Sequence, residues 1–375
     1  MIPISLYIHI PWCIKKCPYC DFNSYTTKTK IDEIEYINFL IQDLEQDLHL
    51  INHRKIQNIF IGGGTPSLFN IESIHYLIQK IKKKVHLSKS TEITIEANPT
   101  NIEYKKIIEY NKIGINRISL GVQTFNNVHL KNLGRLYTEQ DIKNVIHNMK
   151  SNQKNINFNI DIMHSLHNQS YFEAIEDLNK AISYNPNHIS WYQLTIEPNT
   201  LFFYQKLNLT KDLETEKIIK QGNKILEKYG YIQYEISSYC KAGYQCKHNL
   251  NYWKFGDYIG IGCGAHGKIT QKNKKIIRTV KFKNIHDYIK YNFLKKKYQI
   301  SHKDIALEFF MNICRLKKKI NKKDLYKKTG LKQQEINNQI KKCIQEGYIK
   351  NDYKYWEITK KGYQFLNSLL EIFVV

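Results

Sequence analysis

Over its first two hundred residues the chain switches repeatedly between two hydrophobic periods, and that alternation narrows the folds open to it. Short apolar, β-rich runs at 6–10, 58–61, 92–96, 117–120, 157–163 and 188–196 are separated by amphipathic stretches at 31–50, 71–84, 101–112, 138–150 and 171–183. In the first stretch Ile34, Ile37, Ile41, Leu44 and Leu48 recur at three- and four-residue steps, which marks one buried helix face. Strands alternating with helices predict an α/β fold with a parallel sheet. Six such units fit a partial (β/α)6 barrel, with a doubly wound sheet as the alternative. The polar motifs fall at the C-terminal ends of the predicted strands, on the rim where barrel enzymes build their sites.

The first of these motifs is Cys13-Ile14-Lys15-Lys16-Cys17-Pro18-Tyr19-Cys20, a C-x3-C-x2-C loop directly after the first apolar run. Three thiolates on one loop can hold three irons of a [4Fe–4S] cluster and leave the fourth open, since such clusters are ordinarily held by four. A zinc loop completed by a distant residue such as His9 is the alternative. The other five cysteines, Cys240, Cys246, Cys263, Cys314 and Cys343, lie outside metal-ligand spacing and read as packing residues. No secretory segment opens the chain and no apolar run approaches about 18 residues. The expectation is a cytoplasmic protein without a membrane span or disulfides.

A net charge of +23 raises the question of nucleic acid. The basic residues argue against it: only Arg54, Arg117, Arg135, Arg278 and Arg315 are arginine, the residue suited to bidentate contacts, and the lysines are spread along solvated faces. No nucleic-acid partner is expected.

Four further segments carry polar chemistry. Gly62-Gly63-Gly64-Thr65-Pro66-Ser67 lacks the phosphate-loop pattern, and its glycines permit close backbone approach to a ligand or simply make a turn. Glu96 and Asp161, at or near strand ends, read either as buried carboxylates paired with arginine or as holders of ligand amino or hydroxyl groups. Gln123 and, twelve residues on, Arg135 suggest carboxylate binding, with a surface ion pair as the plainer reading for the arginine. Beyond residue 201 the alternation fades. A Gly- and aromatic-rich block follows, containing His248-Asn249-Leu250-Asn251-Tyr252-Trp253, and the tail from 301 reads as helices closed by a short hairpin, a winged-helix-like α+β unit. The organisation expected is a core at 1–235, a connecting block at 236–300 and a smaller domain at 301–375.

The cysteine loop, with Tyr19 before its third cysteine, resembles that of radical S-adenosylmethionine (SAM) enzymes. Tyr7-Ile8-His9-Ile10-Pro11-Trp12-Cys13, Gly62-Gly63-Gly64-Thr65-Pro66, Arg117-Ile118-Ser119-Leu120-Gly121-Val122-Gln123 and Asp161-Ile162-Met163 together resemble the oxygen-independent coproporphyrinogen III oxidase family. The resemblance spans nearly the whole chain. It implies a cluster on Cys13, Cys17 and Cys20, with SAM at the open iron and contacted by Tyr7, Tyr19, Gly63 and Glu96. It also implies that Gly64, Thr65, Gln123, Arg135 and Asp161 match the positions that hold a second SAM in the oxidase. No residue is singled out as an acid–base catalyst.

Within that family the chain departs from the oxidase. Phe22 stands where the oxidase pattern has another cysteine, and twelve residues precede Cys13, where the oxidase carries a longer segment. The block 248–253 matches the H-N-x-x-Y-W signature of the HemW-like branch, whose members are regarded as heme chaperones. This implies heme as ligand, with His248 as axial imidazole and Tyr252 and Trp253 packing on the porphyrin. Heme-acceptor proteins are the implied partners, membrane-associated respiratory enzymes among them. A homodimer stays open. The alternative is an oxidase that decarboxylates coproporphyrinogen III. One loop also departs from the family's D-[LI]-[MI]-x-G-L-P: Ser165 and His167 stand where Gly and Pro are expected.

Overall fold

The first strand, β1 (Ile4–Ile10), is buried along nearly its whole length, as a strand with parallel neighbours on both sides must be. A short pair, β2 (Trp12–Cys13) with β3 (Tyr25–Thr26), frames the cysteine loop. The computed structural model describes residues 2–26, 31–100, 106, 109–152 and 157–374.

β1 is followed by β4 (Ile56–Gly63), β5 (Leu87–Ala97), β6 (Arg117–Gln123), β7 (Asn157–His164) and β8 (His188–Gln193), each parallel to the one before. Helices α1 (Glu33–Ile51), α2 (Ile71–Lys84), α3 (Asn127–Asn132), α4 (Glu139–Asn152) and α5 (Tyr171–Ser183) lie between them in sequence. α1 turns Ile37, Leu40, Ile41 and Leu44 onto the sheet, the stripe its periodicity predicts, while Ile34 at its start stays exposed. α5 begins with a capping box in which Ser170 Oγ and the Glu173 carboxylate satisfy each other's backbone N–H groups. Of the helix expected at 101–112, residues 101–105, 107 and 108 lie outside the described residues.

The sheet does not close. Beyond β8, after α6 (Asp212–Lys228), come β9 (Ile232–Glu235) and β10 (Ser238–Cys240), with β10 antiparallel to β8. After α7 (Lys247–Trp253), β11 (Asp257–Ile261) joins the other edge parallel to β1. β12 (His266–Thr270), β13 (Ile276–Lys281) and, past α8 (Ile285–Lys290), β14 (Leu294–Gln299) extend that edge antiparallel. The result is one twelve-stranded sheet, β14-β13-β12-β11-β1-β4-β5-β6-β7-β8-β10-β9, whose six-unit centre is the partial barrel expected.

The tail runs α9 (Ile305–Ile313), β15 (Ile320–Asn321), α10 (Lys322–Thr329), α11 (Asn337–Gln345), β16 (Ile349–Asn351) and β17 (Tyr355–Ile358), then α12 (Lys360–Gln364) and α13 (Leu366–Glu371). Its three strands order as β15-β17-β16, a winged-helix arrangement. Trp356, Phe309, Phe310 and Phe373 form its centre, with Phe310 and Phe373 stacked at 4.1 Å. Phe255 and Ile276, from the sheet region, belong to the same apolar cluster. Among the described residues no helix is long and apolar enough to cross a membrane.

Candidate functional site

The strand C-termini open onto a cavity of about 510 Å³, within the range of small-molecule sites. Eleven of the thirteen residues that the sequence singles out line it: Cys13, Cys17, Tyr19, Cys20, Gly63, Gly64, Thr65, Glu96, Gln123, Arg135 and Asp161. Tyr7 and His248 do not.

The cysteine loop forms the mouth. It is tightened by the Cys20 N–H donating to the Cys17 carbonyl (3.1 Å), and burial pushes the thiols of Cys13 and Cys20 above their ordinary pKa. Thr65 Oγ1 donates to Cys13 Sγ (3.6 Å). His9 is engaged elsewhere: its Nε2 lies 2.7 Å from the Asn23 carbonyl and its Nδ1 3.0 Å from the Tyr7 hydroxyl. Both ring nitrogens of His9 are thus engaged with these partners.

The glycine segment explains its own composition. Gly63 has φ +123°, and a Cβ there would sit 2.8 Å from the His9 ring and from the Ile10 carbonyl oxygen. At Gly64 a Cβ would meet the Trp12 carbonyl oxygen at 2.6 Å. Only glycines let this turn lie directly against the strand that launches the cysteine loop. The Gly64 and Thr65 N–H groups donate to the Ile10 and Trp12 carbonyls, both at 2.8 Å.

Two carboxylates stand in the cavity wall. Glu96 Oε2 accepts from the Gly63 N–H (3.1 Å); burial, reinforced by the nearby Asp161, raises its pKa to about 7. Asp161 accepts from Ser119 Oγ (2.9 Å) and Asn159 Nδ2 (2.8 Å). Opposite them Arg135 Nη1 donates to Asn98 Oδ1 (3.1 Å) and Nη2 to the Tyr19 hydroxyl, so this arginine is no surface ion pair. Gln123, at φ +71°, accepts from the Tyr192 hydroxyl (2.7 Å). A small apolar cluster of Leu133, Met163, Leu166, Leu194 and Phe202 packs beneath Tyr19 and Tyr192 and holds both rings. The lining as a whole carries five acids, Asp21, Glu96, Asp161, Glu197 and Glu235, against two bases, Lys15 and Arg135.

Tyr192, on β8, and Asn98, just past the end of β5, are not singled out by the sequence, because each is an ordinary residue that folding brings to the cavity; Ser119 lies within the Arg117–Gln123 motif without being singled out there. Phe22 lines the rim with its ring largely exposed. His248 lies on α7, its Nδ1 3.1 Å from Asn58 Oδ1 and its ring 5.0 Å from that of Phe60 and 6.2 Å from Tyr7. Burial, with Arg117 nearby, lowers its pKa to about 3 and keeps the imidazole neutral. Its helix neighbours Asn249 and Trp253 do reach the cavity.

Comparison with known proteins bears on the fold and the family. The model of the Radical SAM superfamily matches residues 7–180, and that of the HemN C-terminal domain matches residues 300–365. Heme chaperone HemW of Buchnera aphidicola subsp. Schizaphis graminum is 54% identical over 99% of this chain and 98% of its own. Heme chaperone HemW of Escherichia coli (strain K12) is 45% identical, again over 99% and 98%. The structure of coproporphyrinogen III oxidase (HemN) from Escherichia coli superposes with a TM-score of 0.83 at 19% identity, covering 100% of this chain and 90% of that one, a likeness of fold. On full-length identity, both domain matches and a shared architecture, the chain belongs to the HemW family of radical SAM proteins.

Proposed function

We propose that this protein binds heme and passes it to acceptor proteins, and that it carries a [4Fe–4S] cluster on Cys13, Cys17 and Cys20 with SAM at the open iron. The observation that supports the reading most is kinship along the entire chain: relatives called heme chaperone match it over 98% of their own length. The residues fit the cofactors. Three thiols share one loop at the mouth of a cavity, two glycines hold the adjacent backbone against it, and a buried carboxylate stands beside them. Such a cluster supplies an electron for reductive cleavage of SAM when both are bound.

In this reading Tyr7, Tyr19, Gly63 and Glu96 serve the first SAM. Glu96, once ionised, receives a ligand ammonium, and the Gly63 N–H fixes the carboxylate's direction. Gly64, Thr65, Gln123, Arg135 and Asp161 form a second subsite beside it, where Arg135 offers a guanidinium to a carboxylate. His248, held neutral, is the heme ligand; Tyr252 and Trp253 pack on the porphyrin. We assign the protein to the cytoplasm, leave its acceptors open to membrane-associated respiratory enzymes, and divide the chain at 235 and 300.

Coproporphyrinogen III oxidation is the competing activity, and the shared fold alone does not favour it. The deciding experiment pairs two assays on anaerobically reconstituted protein: heme titration by absorbance, and coproporphyrinogen III turnover. One-to-one heme binding without porphyrinogen turnover is the expected result. Protoporphyrinogen formation without heme binding would reverse the assignment.

A further inference from the structure

Four side chains form a continuous run of hydrogen bonds along the cavity wall. Arg135 Nη1 donates to Asn98 Oδ1 (3.1 Å), Asn98 Nδ2 donates to Thr65 Oγ1 (3.3 Å), and Thr65 Oγ1 donates to Cys13 Sγ (3.6 Å). Every donor points the same way, from a guanidinium at one end to a cysteine sulfur at the other. A run with one direction polarises each successive bond, and the effect is larger where solvent is scarce. Arg135 is also tied back to the cysteine loop through the Tyr19 hydroxyl and lies 5.7 Å from that ring, so the cationic end is held in place. Asn98 is the joint of the run. It is the one member that both accepts from the cation and donates toward the sulfur through different atoms of a rigid amide.

Hydrogen bonds to the sulfurs of an iron–sulfur cluster draw electron density from the metal and raise its reduction potential, and such outer partners orient and tune the ligands they touch. We propose that Asn98 is a positioning residue for the cluster: it transmits the positive charge of Arg135 through Thr65 to the Cys13 sulfur and so raises the potential at which the cluster accepts an electron. The inference rests on the reading of Cys13, Cys17 and Cys20 as cluster ligands.

The test uses full-length protein reconstituted anaerobically with iron and sulfide, with EPR-monitored redox titration as the readout. Asn98→Ala is expected to hold the wild-type iron and sulfide content. At the potential where the wild type is half reduced, its ratio of reduced to oxidised cluster should fall about tenfold, a downward shift of about 59 mV for one electron. Thr65→Val, which removes the terminal donor, should shift the potential at least as far. Combining the two should shift it no further than Thr65→Val alone, because both cut one run. If Asn98→Ala takes up no cluster, Asn98→Ser is read in its place with the same comparison. Loaded Asn98 variants at the wild-type potential, or shifts that add in full, overturn the proposal. Wild-type protein that takes up no iron and sulfide overturns the cluster reading and this proposal together.

Discussion

Glu96 keeps its proton to about pH 7 because its carboxyl is buried beside Asp161, with the Gly63 N–H only partly offsetting that cost. The neutral acid holds an ammonium far less strongly than the carboxylate does, so SAM affinity should rise with pH. Below about pH 7 it should gain roughly tenfold per unit, then level off above it. Glu96→Gln should bind weakly and without that pH dependence; titration calorimetry between pH 6 and 8 reads both. Replacing Cys17 with Ala should abolish iron and sulfide uptake, whereas His248→Ala should leave it intact and weaken heme binding at least tenfold, measured by absorbance titration. At this scale the sequence is readable where chemistry demands a local pattern. Cys13, Cys17 and Cys20 stand at metal-ligand spacing on one loop, and the turn beside Ile10 and Trp12 must be glycine. Asn98 and Tyr192 follow no such rule, since their roles come from strands that meet only after folding.

The loop after β7 carries a side chain at a left-handed backbone position. Ser165, where the family has glycine, adopts φ +57°, a left-handed conformation that costs a side chain about 1–2 kcal/mol. Its buried hydroxyl offsets part of this, lying 3.0 Å from Thr215 Oγ1 and 3.1 Å from His164 Nδ1. Ser165→Ala keeps the strain and loses the bonds, whereas Ser165→Gly loses both. The glycine variant should therefore be more stable than the alanine variant by about 1 kcal/mol in urea unfolding. The six parallel strands are readable because burial on both faces makes continuous apolar runs. The last expected strand, at 188–196, stops at Gln193, because from Leu194 the chain turns into the apolar cluster under Tyr19. Strands β11–β14, of which β12–β14 run antiparallel, are hard to read in advance. β14 is a solvent-facing edge rich in lysine, and β11 carries glycine at Gly260, where a Cβ would lie 2.1 Å from the His266 carbonyl oxygen.

The two apolar cores are separate, yet the winged-helix unit is fastened to the sheet. The Lys317 N–H donates to the Tyr234 carbonyl (3.0 Å), Arg278 of β13 pairs with Glu308 of α9, and Phe255 packs on Phe309 at 5.6 Å. Unfolding should accordingly be a single transition in the wild type. Trp356→Ala, which empties the centre of the smaller core, should cost about 3–5 kcal/mol and split that transition, seen by circular dichroism in urea. At the scale of the molecule, charge has opposite signs inside and out. The exterior carries most of a +23 excess, while the cavity lining holds more acids than bases. The surface therefore favours anions and the cavity cations, so the sign of a ligand's charge decides which of the two it meets on favourable terms. One chain thus holds two opposite electrostatic environments, set apart in space.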